Sequence, residues 1–127
     1  MEEQIYLTEE LQELPLTEGE QIPVVLFNGP ICTATGLYRL SDLDFDEARF
    51  LVRFYGFESA VGHESSAEVL SSVLGVDVPM NRVDYVQRIG QKAIVLKLNK
   101  RPEEGRILNT AEIYAVGFCL QLLERLN

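Results

Sequence analysis

The chain has one histidine, His63, no tryptophan, two cysteines and two methionines in 127 residues. Cys32 and Cys119 lie far apart among apolar neighbours, so neither a CxxC redox pair nor a cysteine-rich zinc site can be assembled from them. They read as small buried hydrophobes in a reducing compartment. No cofactor and no metal site is expected, although carboxylate ligands alone are not excluded by this count. No apolar run approaches the roughly 18 residues that span a bilayer. The start, Met1-Glu2-Glu3-Gln4, lacks the basic and apolar regions of a signal peptide. A cytoplasmic protein with no membrane partner is the expectation. Also missing are a Walker-type GxxxxGK[ST], any glycine-rich phosphate cradle, internal repeats and low-complexity tracts.

Positive charge is scarce overall and concentrated where it exists. The net charge is −9, which argues against a long nucleic-acid duplex as partner. Residues 1–21 hold seven glutamates and no base, whereas 82–106 holds seven bases against three acids. Local potential decides what approaches a cleft, so a short phosphate-bearing ligand fits this distribution better. The division also marks an acidic N-terminal extension, 1–21, from the domain proper, 22–127. In the extension Leu7, Leu11 and Leu14 have helical spacing, Thr8 can cap, and Pro15 ends the run.

Hydrophobic patterning within 22–127 predicts strands at Ile22–Phe27 and Gly36–Leu40. A helix starting within Ser41–Asp46 follows, with Ala48, Leu51, Val52 and Tyr55 as its apolar stripe and Gly56 closing it. A second helix carries Ala67, Leu70, Val73 and Leu74, stops at Gly75, and begins beside His63. Val83–Val86 and Ala93–Leu98 are expected to pair as a hairpin around Gly90. Thr110 is expected to cap a final helix, Ala111–Leu126, with Ile113, Val116, Leu120 and Leu123 inward. Such interleaving predicts a single α/β or α+β domain with a small mixed sheet flanked by helices.

His63 is the centre of any acid–base chemistry. Gly62 before it gives a ligand room, and the helix N-terminus after it favours an anion. Imidazole exchanges protons near neutrality. A lone histidine is nevertheless more often a packing or surface residue. The arginines and glutamates of Asn81-Arg82 and Arg101-Pro102-Glu103-Glu104-Gly105-Arg106 suit phosphate binding and acid–base support. They suit a solvated loop with ordinary surface ion pairs equally well.

Three segments decide between these readings: Ala60-Val61-Gly62-His63-Glu64-Ser65-Ser66, Asn81-Arg82-Val83, and Lys100-Arg101-Pro102-Glu103-Glu104-Gly105-Arg106-Ile107-Leu108. In order and separation they resemble the anti-CRISPR ring nucleases of archaeal viruses and their bacterial relatives linked to type III CRISPR systems. The resemblance implies a C2 homodimer that cuts cyclic tetra-adenylate without metal, giving linear di-adenylate with a 2′,3′-cyclic phosphate. It makes His63 the general acid, Glu104 its orienting partner, and Arg82 and Arg101 the phosphate-holding cations. Asn28, Asn81 and Gly62 become ligand-binding positions, and Ile31 stands where the family usually has serine. Two other expectations stand beside this one. The protein could bind a cyclic nucleotide without turning it over, or use its acidic extension as an adaptor on a basic partner.

Overall fold

Val24–Phe27, a short continuous apolar run, forms β1, an inner strand of a mixed sheet, buried on both faces. The computed structural model describes residues 22–127, so the predicted Thr8-capped helix lies outside the described residues. Tyr38–Leu43 form β2, and Asp44 caps helix α1, Phe45–Tyr55, by accepting from the Glu47 amide. Phe57–Ser59 form β3, Glu64–Leu74 form α2, and Lys92–Leu98 form β4. Helix α3, Thr110–Val116, then leads into β5, Phe118–Arg125. The strand order is β2-β5-β4-β1-β3, with β1 parallel to β3 and β4, and β5 antiparallel to β4 and β2. The result is one α+β domain.

Alternation along the strands sends neighbouring residues to opposite faces. Val24, Leu26, Ile94, Leu96 and Leu120 meet Ala48, Leu51 and Val52 of α1, Leu70 and Val73 of α2, and Ile113 of α3. Val25, Phe27, Ala93, Val95 and Leu123 form a smaller cluster on the other face, with Tyr38 and Tyr85 against it. Tyr85 donates to a Glu58 carboxylate oxygen at 3.1 Å and accepts from Gln91 Nε2 at 2.7 Å. Burial, reinforced by Glu58 and partly offset by Gln91, pushes its phenol up to about 12.

Two expectations about secondary structure fail. Val83–Val86 is no strand, because both edges of β4 are already taken by β1 and β5. Its segment instead lies over the sheet, where Gln87 Nε2 donates to the carbonyls of Gln91 and Leu123, and Arg125 Nη1 donates to the Gln87 carbonyl. The long C-terminal helix is also replaced. Asn109, not Thr110, caps α3, in a capping box with Glu112. Gly117, at φ +82° with its amide bonded to the Ile113 carbonyl, ends the helix after seven residues. The remaining Phe118–Arg125 pairs on both edges. Ser41 and Asp42, placed in the helix region by pattern, complete β2. The cysteines are not the buried pair expected: Cys32 is exposed and Cys119 half-buried.

Candidate functional site

Three parallel strands, β1, β3 and β4, end on one side of the sheet, and the segments leaving them meet there. Ligand sites of open α/β sheets form outside strand carboxyl ends for this reason. Asn28 follows β1, Ala60-Val61-Gly62-His63 carries the chain from β3 into α2, and the loop 99–109 leaves β4.

Asn28 Oδ1 accepts from the Gly62 amide at 3.1 Å, tying the first exit to the second. Asn81 does the same work from the other side: its side-chain amide donates to the Ser59 carbonyl at 2.8 Å and its backbone amide to the Val61 carbonyl at 2.7 Å. Arg82 donates twice to the Gly62 carbonyl, from Nε at 3.2 Å and Nη2 at 2.9 Å. That same Nη2 lies 3.5 Å from His63 Nδ1. Both polar groups of the Gly62 backbone are therefore held by side chains.

His63 is the N-cap residue of α2, yet its side chain makes no capping bond. The first-turn amides of α2 therefore receive no bond from it and keep their donor character. Two cavities flank the ring. One, of about 250 Å³, has Asn28, Ser65, Ser66 and Arg106 around an apolar floor of Leu96, Leu98 and Ile113. The other, of about 420 Å³, lies between Gly62, Glu64, Glu68, Arg82 and Asn109. His63, Ser65, Ile107 and Leu108 border both. The Ser65 hydroxyl donates to the Leu108 carbonyl at 2.7 Å and pins the loop over the start of α2.

His63, Arg82, Asn28 and Gly62 thus converge, with Asn81 bracing the backbone behind them. Glu104 and Arg101 sit in the exposed part of the 99–109 loop and border neither cavity. The polar side chain beside the imidazole is Arg82, and no hydrogen bond joins His63 to Glu104. Arg106, Ser65 and Ser66 border the cavities without having been assigned a role from sequence. Arg106 is paired with Glu112, which is itself fixed in the Asn109 capping box, so the guanidinium is anchored at the cavity wall. Its signal was present in the basic cluster, but no pattern distinguished it from Arg101. Among the described residues, no group of three or more histidine, cysteine or acidic side chains could hold a metal ion, and no helix is long and apolar enough to cross a membrane.

The Asn28–Gly62 bond gives a direct prediction. Asn28→Ala strands a half-buried amide and is expected to cost about 1–3 kcal/mol in urea unfolding. Asn28→Asp keeps the acceptor and should recover most of that loss.

Residues 24–120 match the family model described as STIV B116-like. Protein ORF117 of Acidianus two-tailed virus is 38% identical over 93 residues, spanning 71% of this chain and 80% of the viral protein. Protein YddF of Bacillus subtilis is 27% identical over 106 residues, 82% of this chain and 98% of its own length. The solved structure of B116 from Sulfolobus turreted icosahedral virus superposes with a TM-score of 0.61 at 20% identity, covering 81% of this chain and 99% of B116. With three-quarters of its length in the family match and a viral relative above a third identical, this chain belongs to the STIV B116-like family.

Proposed function

We propose that the protein is a metal-independent ring nuclease that opens cyclic tetra-adenylate, with His63 as general acid, and so silences type III CRISPR signalling. The single observation that carries this reading is the position of His63. It stands at the N-terminus of α2, without a side-chain cap there, with Arg82 Nη2 3.5 Å from its Nδ1 and cavities on either side. An anionic phosphate is favoured there by backbone amides and by Arg82 together.

The chemistry asks little of the protein. A ribose 2′ oxygen attacks its own phosphorus, the bond to the 5′ oxygen breaks, and the departing oxygen takes a proton from His63. The 2′-hydroxyl proton leaves to solvent. Repetition on the opposite side of the ring gives two di-adenylates, each ending in a 2′,3′-cyclic phosphate. The substrate brings its nucleophile, so the protein supplies in-line geometry, a proton and compensating charge. Arg82 supplies the charge: its Nη2 lies 3.5 Å from His63 Nδ1, and its planar guanidinium suits a phosphate held beside the ring. A C2 homodimer would present one His63 to each of two opposite phosphates of the ring.

Arg82→Lys tests the role of the guanidinium. Lysine cannot hold the Gly62 carbonyl and a phosphate with one planar fork, so binding is expected to weaken about tenfold. Isothermal titration against cyclic tetra-adenylate measures it.

A second reading is a protein that sequesters the cyclic nucleotide without cutting it. The outlying positions of Glu104 and Arg101 favour it, since neither supports the imidazole in the free chain. Incubation of equimolar protein with cyclic tetra-adenylate in EDTA, followed by chromatography, separates the two. Linear di-adenylate supports the nuclease. Intact ring after hours, with binding retained, overturns it in favour of sequestration.

A further inference from the structure

Of the two cavities beside His63, the smaller is bordered by no carboxylate, in a chain whose net charge is −9. The larger carries Glu64 and Glu68 with Arg82, whereas the smaller carries Arg106 with Asn28, Ser65 and Ser66. His63 borders both, so each side of the imidazole has an arginine of its own. Arg82 has a place in the reading above. Arg106 does not.

Arg106 is fixed at its backbone and at its side chain. Its amide donates to the Glu103 carbonyl at 3.0 Å, closing a turn in which Gly105 takes φ +79°. Two residues on, the Leu108 carbonyl is held by the Ser65 hydroxyl. The guanidinium is tethered through Nη2 to one oxygen of Glu112, whose other oxygen accepts from the Asn109 amide. A guanidinium set in place beforehand loses less freedom when it takes a ligand. Its Nε and Nη1 hydrogens make no bond among the described residues, so a planar edge is left to donate. Asn28 spends Oδ1 on the Gly62 amide and keeps its side-chain NH₂ for the same space. Leu96, Leu98 and Ile113 floor the cavity, and apolar surroundings strengthen a charge-assisted bond to an anion.

We infer that Arg106 holds a second phosphate, the uncut neighbour of the one at His63 and Arg82, with the Asn28 NH₂ and the Ser66 hydroxyl as neutral donors beside it. The inference rests on the ring-nuclease reading. Two phosphates on each of two chains account for all four of cyclic tetra-adenylate, alternating around the ring between His63 and Arg106. The phosphates at His63 become the 2′,3′-cyclic ends of the products, and those at Arg106 remain the internal linkages of the two di-adenylates. Arg106 therefore breaks no bond. It is a binding residue that registers the ring against the acid.

Isothermal titration of cyclic tetra-adenylate onto the full-length protein tests this, with every chain carrying His63→Ala so that the ring stays whole. Adding Arg106→Gln is expected to weaken binding about tenfold or more. It should also flatten the slope of log affinity against log salt by about 0.7 for each phosphate no longer met, a readout that a purely structural role would not move. Lys100→Gln removes the same charge from an exposed position of the same loop that borders neither cavity, and should stay within about twofold. Circular dichroism verifies the fold of each variant. Unchanged affinity in Arg106→Gln, or weaker binding at an unchanged salt slope, overturns the inference and leaves the ring-nuclease reading standing. An equal loss in Lys100→Gln also overturns it, by reducing the effect to long-range charge. No binding by the His63→Ala chain itself brings down that reading, and the inference with it.

Discussion

Replacing His63 with alanine is expected to lower the single-turnover rate of ring opening by roughly 10²–10⁴-fold, the usual contribution of a positioned acid. Affinity for cyclic tetra-adenylate should stay within about threefold, because the cationic and amide donors that face phosphate remain. Arg82 keeps its two bonds to the Gly62 carbonyl, Asn28 keeps the Gly62 amide, and α2 keeps its start, since the imidazole supplies no capping bond to lose. The split between rate and affinity is the informative quantity. An interaction used only in the transition state lowers turnover without weakening substrate binding. Rapid-quench assays with excess protein measure the first, and titration of the uncut ring on the alanine variant measures the second. Equal rates for parent and variant would remove His63 from the chemistry and with it the proposed mechanism.

The position of that histidine was legible because two local signals agree on it. Gly75 and the apolar set Ala67, Leu70, Val73 and Leu74 define α2, and counting back places its start at His63. Arg82 and Asn28 could be nominated but not connected by spacing alone. Their meeting depends on β1 and β3 lying parallel and adjacent, a tertiary fact that brings Asn28 to Gly62 across 34 residues. The loop 99–109 shows the opposite limit. Arg101 and Arg106 carry the same chemistry five positions apart, and only the Glu112 pairing brings Arg106 to the cavity wall. Glu104 has no such anchor in the free chain.

Among the strands, β1 and β4 declared themselves as short apolar runs, whereas the three-residue β3 is too short to show a period. The larger failure is the C-terminal segment. Phe118-Cys119-Leu120-Gln121-Leu122-Leu123 is apolar enough to serve a buried helix or a buried strand, and its content does not choose. Gly117 breaks the helix, and the open edges of β4 and β2 settle the outcome through a six-residue ladder with β2 and a seven-residue ladder with β4. Tertiary pairing overrides local preference here.

That override has a measurable signature in Leu120 and Leu123. As a helix, this segment would carry both leucines on one stripe, three residues apart and in one cavity. As β5, it sends Leu120 to the helix-covered face with Leu26, Ile94 and Leu96, and Leu123 to the opposite face with Val25, Phe27 and Val95. Both are almost fully buried, at 1% and 2% exposure. Truncating either to alanine removes about three buried carbons and leaves a void, so each single variant should lose about 2–5 kcal/mol in denaturant unfolding. The double variant discriminates. With a sheet between them and no shared neighbours, the two losses are expected to add to within about 0.5 kcal/mol. A shared cavity would instead give a coupling of about 0.5–3 kcal/mol. Because the summed loss approaches the 5–15 kcal/mol that stabilises an ordinary domain, the cycle is best completed with the conservative pair Leu120→Val and Leu123→Val. Each of those keeps most of the buried volume and leaves enough folded protein to measure. Additivity in that cycle requires the two side chains to lie on opposite faces of β5; strong coupling would restore the helix and break the pairing of β5 with β4 on which the cleft around His63 depends.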